Sequence, residues 1–267
     1  MGSVGVAWFL ASGSGRCSCG AMHHARASLR QIFGVYALVC VGVFGVTRLE
    51  GVAGVGPYVQ LAVAALFLLT SVRLTRHAPE HYGIALGGIL STPDEPRSAG
   101  PFGLFDLGRA LVRATPSAVT ELGVAAAVGA IVFPLYAAGY YWWWEPTRPF
   151  ELSLPPDIVN LALTQLIVIA LPEEAFFRGY IQTGLTDASK WRARLLGAEI
   201  APGAWVLQAV LFALVHFLVE PHPARLAVFF PALLFGWLRA WRGGIGAAIA
   251  LHAMSNLYSE ILARSWL

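Results

Sequence analysis

Charge is what this chain has least of. Of its 267 residues only 12% are charged, against 57% that are hydrophobic, and a soluble domain carries roughly twice that charged share. Cysteine is nearly as scarce, at Cys17, Cys19 and Cys40. The first two lie in a Gly/Ser-rich leader and the third in an apolar run, so no disulfide framework is on offer and unbonded thiols are expected. No basic stripe interleaved with aromatics runs along the chain, so no nucleic-acid partner is expected. Nor do the apolar runs alternate apolar with polar residues, which excludes a membrane β-barrel.

What remains is a set of apolar runs long enough to cross a bilayer, which takes about 20 residues as a helix. Lipid offers no partner to an exposed backbone amide, so these runs must be helical. The expected fold is all-α, a multi-pass transmembrane helix bundle of about seven spans: 31–49, 57–74, 118–141, 157–181, 203–219, 224–241 and 243–262. Residues 1–28 lack the basic start of a secretory signal. They read as a disordered extension, or as a start codon called too early with Met22 as the true start. Residues 29–117 hold two ordinary apolar helices and a polar insert broken by Pro79, Pro93, Pro96 and Pro101. Within the insert, Phe102 to Ala114 reads as a separate interfacial helix, with Asp106, Arg109 and Arg113 on one face and Leu104, Leu107 and Leu111 on the other. Residues 118–267 form the helical core. Its first span ends in the aromatic belt Tyr140 to Trp144, and its last two are joined by the tight hairpin Arg242-Gly243-Gly244.

Orientation follows from the basic residues. With the N-terminus cytoplasmic, thirteen lie inside: Arg16, Arg26, Arg30, Arg73, Arg76, Arg97, Arg109, Arg113, Lys190, Arg192, Arg194, Arg239 and Arg242. Four lie outside, Arg48, Arg148, Arg225 and Arg264, and Arg178 falls within a span. The positive-inside rule therefore places the N-terminus in the cytoplasm.

The fourth span contains Glu173, Glu174 and Arg178. Three charges at mid-membrane cost roughly 8–10 kcal/mol on insertion scales, and the Leu, Ile and Val residues ahead of them return only about 3–5. Pairing, hydration or a shallow position must make up the difference. Glu174 and Arg178 stand at i, i+4 and suit an ion pair, which by itself requires no more than a structural bridge. Glu173 points about 100° away and has no cation nearby in sequence, which suits a general base. Pro172 ahead of the pair frees a carbonyl and should open the helix locally. The fifth span carries His216 four residues after Phe212, and the seventh carries His252 and Asn256 on one face. Taken singly, each is excused as interhelical hydrogen bonding. Together they bring catalytic residue types to three core spans. His77 and His81, also at i, i+4, read as a polar loop pair rather than a metal site. There is no nucleophilic Ser–His pairing and no His-Glu-x-x-His helix.

The three motifs Glu-Glu-x-x-x-Arg, Phe-x-x-x-His and His-x-x-x-Asn, here Glu173-Glu174…Arg178, Phe212…His216 and His252…Asn256, resemble those of the CPBP or Abi family. That family includes the type II CaaX prenyl endopeptidases, bacteriocin-processing relatives and a myxosortase-like branch. The resemblance covers about the last 110 residues. It implies an intramembrane glutamic peptidase of a bacterial inner membrane. Its substrate would be a membrane-anchored or lipidated protein cut near the C-terminus, for example at a C-terminal sorting helix. Glu173 and His216 would activate water, His252 and Asn256 would stabilise the oxyanion, and Glu174 and Arg178 would hold the geometry. No cofactor is implied. The alternatives are a zinc enzyme with Glu173, His216 and His252 as ligands, and a non-catalytic membrane protein such as an immunity factor, binder or transporter.

Overall fold

The computed structural model describes residues 27–86 and 104–266. The leader with Cys17, Cys19 and Met22, the breakers Pro93, Pro96 and Pro101, and the side chains of Leu104, Asp106 and Leu107 lie outside the described residues. The chain is a helix bundle: α1 (Leu29–Thr47), α2 (Val59–Thr75), α3 (Leu104–Trp144), α4 (Ile158–Ala188), α5 (Pro202–Val219), α6 (Phe229–Arg242) and α7 (Gly246–Trp266). Among the described residues six spans are long and apolar enough to cross a membrane, with α2 and α6 counted together with the 3-10 turns that lead into them, as Gly56–Thr75 and Pro223–Arg242. The exception is α7, whose 21 residues suffice in length but include His252, Ser255, Asn256, Ser259 and Glu260. The hydroxyls of Ser255 and Ser259 return to carbonyls of their own helix, at Leu251 and Ser255, and His252 is buried. The helix is less apolar because part of its polarity faces protein.

Two expectations are corrected. The interfacial helix and the third span are one continuous helix, α3, running through Pro116 and Pro134. A proline leaves the carbonyl four residues back without its N–H. Hydroxyls of Thr115 and Thr120 hydrogen-bond to Leu111 and Pro116 carbonyls around the first proline, and the helix carries on. The fourth span, expected to end at 181, continues as helix to Ala188, and the segment before the fifth span forms a small antiparallel hairpin, β1 (Ala193–Leu195) with β2 (Ala198–Ile200). Leu196 and Gly197 both have positive φ, 47° and 82°, as a tight two-residue hairpin turn requires.

Between lipid-solvated helices apolar contact gains little, so close fit and buried polar bonds must hold the bundle. The small residues show how close the fit is. A Cβ on Gly179 would sit 2.6 Å from Ile84, and one on Gly236 would sit 2.6 Å from the Gln208 amide. Around Gly236, Gln182 donates to the Gly236 carbonyl at 2.8 Å and Gln208 to the Ala232 carbonyl at 3.1 Å. These bonds tie α4, α5 and α6 together. Phe67, Phe176, Phe177 and Phe212 interlock in the buried core, while Leu38, Leu69, Ile131, Leu135 and Phe230 point outward.

The contacts also define the bundle's two ends. Arg239 donates to the His81 carbonyl, Ile245 N to the Gly83 carbonyl, and the Trp237 indole to the Leu195 carbonyl. The connections after α2, α4 and α6 therefore share one end. At the other, Arg48 reaches the Val219 carbonyl and Glu151 N bonds to the Ser265 carbonyl.

Candidate active site

The helix that carries both glutamates is irregular where they stand. Within α4, residues Leu171–Glu174 form a four-residue α-helical stretch between two π-helical ones, Gln165–Ala170 and Ala175–Gln182. Pro172 sits inside that stretch without an N–H to donate, and Leu171 N bonds five residues back, to Leu166. The local opening expected at the proline thus takes the form of widened turns rather than a break, and such turns cluster at functional sites.

Glu174 and Arg178 form the i, i+4 pair. Arg178 Nη1 lies 2.9 Å from Glu174 Oε1, and neither side chain is exposed (0% each). Nη1 nonetheless lacks hydrogen-bond geometry, so charge holds this contact rather than a directed bond. The guanidinium lies over the ring of Phe212, 4.4 Å from its centroid, and 5.1 Å from that of Phe235, and its Nη2 reaches the Ala232 carbonyl at 3.4 Å. On its other side, Glu174 Oε1 lies 2.8 Å from His252 Nδ1. One carboxylate oxygen thereby joins Arg178 of α4 to His252 of α7, and the Phe235 ring of α6 stacks on the His252 imidazole at 5.0 Å.

Glu173 faces elsewhere. Its Oε2 lies 4.0 Å from His216 Nε2 and 3.8 Å from His252 Nε2, too far for a direct hydrogen bond. That oxygen is buried and has no hydrogen-bond partner among the described residues. His216 Nδ1 is 2.9 Å from the Phe212 carbonyl. Since a carbonyl only accepts, Nδ1 carries the proton and Nε2 of the neutral ring turns a lone pair toward Glu173. The motif phenylalanine thus has two tasks: its carbonyl sets the His216 tautomer and its ring covers Arg178.

Asn256, one turn beyond His252, donates through Nδ2 to Gln165 Oε1 at 2.8 Å. Gln165 and Phe235 are the site residues that sequence reasoning missed. Gln165 opens the first π-helical stretch eight positions before Glu173, and a lone glutamine in an apolar run was the available signal. His77 and His81 do not converge: His77 accepts from Arg76 and His81 pairs with Asp187 at 2.8 Å.

A cavity of about 260 Å³ leads to Glu173 and His216 between α1, α2, α4 and α5. Its walls are apolar, with Val43, Val63, Phe67, Val168 and Val215, and its rim carries Glu50, Gln60, Glu220 and Arg225. At the rim, Arg225 hydrogen-bonds to Glu220 and holds that carboxyl below its usual range.

Residues 155–258 match a family described as Type II CAAX prenyl endopeptidase Rce1-like. The matched stretch includes every residue of the three motifs. No curated protein and no solved structure matches the chain. That stretch is similar to the type II CAAX prenyl endopeptidases, and it lies in a chain with six spans long and apolar enough to cross a membrane among the described residues.

Proposed function

We propose that the chain hydrolyses a peptide bond near the C-terminus of a membrane-anchored or lipidated protein, with Glu173 as the general base. The observation that carries this is the buried, unpartnered Glu173 Oε2, faced by two imidazoles at the end of an apolar cavity. Atoms 4.0 Å apart are well spaced for one water to contact both at about 2.8 Å. Water between Glu173 Oε2 and His216 Nε2 loses its proton to the carboxylate as its oxygen attacks the scissile carbonyl. The tetrahedral oxyanion then takes hydrogen bonds from His252 Nε2 and from the Asn256 amide, whose second N–H is not used by Gln165. For this donation the His252 ring must carry both protons, with its Nδ1–H given to Glu174 Oε1. Glu173 finally passes its proton to the leaving amine, which completes the hydrolysis. Oxyanion donors of this kind are each worth about 10²–10³ in rate.

Glu173, His216 and His252 are also the donor set for zinc. Their nitrogen–oxygen separations of 4.0 and 3.8 Å exceed the roughly 3.3 Å between neighbouring tetrahedral ligands, which supports the metal-free reading. The anchored Nδ1 atoms of both histidines suit either one. Dialysis of purified enzyme against a chelator decides: activity is retained if no metal takes part, and lost, then restored by zinc, if one does.

The N-terminus is assigned to the cytoplasm, because the end holding Arg73, Arg76, Lys190, Arg192, Arg239 and Arg242 is the basic one. Glu173→Gln tests the catalytic reading. It keeps the side-chain shape and removes the base, so membrane insertion and purified yield should be unchanged while cleavage falls by about 10²–10⁴. Substantial turnover by this variant would exclude Glu173 as the base.

A further inference from the structure

We infer that the catalytic cavity opens on the extracytoplasmic side of the membrane. Its substrate would then be a membrane-anchored protein presenting an extended segment there, at the outer end of its anchor, rather than a lipidated cytoplasmic tail. The substrate half of this inference rests on the peptidase reading above; the orientation of the cavity does not.

The cavity rim is built by the turn after α1 and the loop after α5, through Glu50, Glu220 and Arg225. Both belong to the same end of the bundle, since Arg48 reaches the Val219 carbonyl. The connections after α2, α4 and α6 lie at the opposite end, where the basic residues gather. At the rim end two of the arginines, Arg225 and Arg264, are paired with carboxylates of their own segments, Glu220 and Glu260. Glu50, Glu145, Glu151 and Asp157 add further negative charge there. Retention of positive segments in the cytoplasm therefore sends the rim outward.

The reaction constrains what enters the cavity. Attack at Glu173 needs a scissile carbonyl released from helical packing, because the carbonyls of an intact helix are shielded and hydrogen-bonded along its own axis. The outer end of an anchor is where such unwinding exposes fewest amides to lipid.

Single-cysteine variants test the orientation. With Cys17, Cys19 and Cys40 replaced by serine, Val52→Cys and Gln60→Cys mark the rim end and Ala188→Cys the opposite end. A membrane-impermeant maleimide should label positions 52 and 60 in intact spheroplasts, and position 188 only after permeabilisation. The reverse pattern overturns the inference. Mapping new C-termini in the membrane proteome of wild-type and Glu173→Gln cells tests the substrate. Glu173-dependent termini should fall just outside the outer ends of membrane anchors, and termini in cytoplasmic tails would overturn that assignment. If no terminus depends on Glu173, the peptidase reading fails and the substrate assignment with it, while the labelling still reports the cavity's orientation.

Discussion

Replacing Arg178 by methionine should separate what holds the site together from what runs the reaction. Arg178 and Glu174 are both fully buried and 2.9 Å apart. Removing the cation leaves the Glu174 carboxylate with His252 Nδ1, at 2.8 Å, as its one close donor. Breaking a buried pair in this way costs about 3–5 kcal/mol. Methionine keeps much of the volume, so little of the loss comes from a cavity, although the cation contacts over Phe212 and Phe235 go as well. Adding Glu174→Gln should restore most of the stability, because a neutral amide oxygen still accepts from His252 and no charge is left alone. It should not restore activity, because no carboxylate then faces the His252 ring that donates to the oxyanion. Reversible unfolding of the purified protein in mixed detergent micelles, run as a double-mutant cycle, measures the coupling. The expectation is about 2–3 kcal/mol between positions 174 and 178, and under about 1 kcal/mol between 173 and 178. Coupling of Arg178 to Glu173 that exceeds its coupling to Glu174 would refute the assignment and make Glu174 the better candidate for the base. Recovery of full activity in the double variant would refute the role given to the Glu174 charge.

Gly236→Ala should destabilise the bundle by about 1–3 kcal/mol. Its Cβ would meet the Gln208 amide at 2.6 Å and the Gln182 carbonyl oxygen at 2.9 Å, which thermal unfolding in detergent reads directly. Gln165→Leu should leave the unfolding temperature close to wild type but free the Asn256 amide to turn away. Loss of one aligned oxyanion donor predicts a fall of about 10²-fold in kcat with little change in KM. An unchanged kcat would remove Asn256 from the oxyanion site.

Span positions were legible because lipid forbids unpaired backbone, so long apolar runs leave few alternatives to a helix. Where one helix ends and the next begins was less so. The interfacial helix read as ending at Ala114 and the next span as starting at 118, yet α3 runs through Pro116 between them, because a proline inside a helix costs one backbone bond and a kink rather than the whole helix. The β1–β2 hairpin escaped notice because its strands are three residues each, too short for alternation to register. Leu196-Gly197 was the usable signal, though leucine rarely adopts the positive φ this turn requires.

The site divides along the same line. The pairing of Glu174 with Arg178 follows from helical spacing alone, because both partners share one helix. The contact that gives Glu174 its second task, His252 Nδ1 at 2.8 Å, joins residues 78 positions apart, and no periodicity encodes a separation of that kind. Phe235 was invisible for the same reason, and the lone glutamine at 165 marked a polar group without showing its partner, Asn256, on another helix. Motif order could group Glu173, His216 and His252, but it could not tell which imidazole faces which carboxylate. The fold separates the two glutamates because adjacent helical positions diverge: one turns into the buried Arg178 cage and the other toward the cavity. Two neighbouring carboxylates with the same chemistry thereby receive a caged and a cavity-facing environment from a single helix.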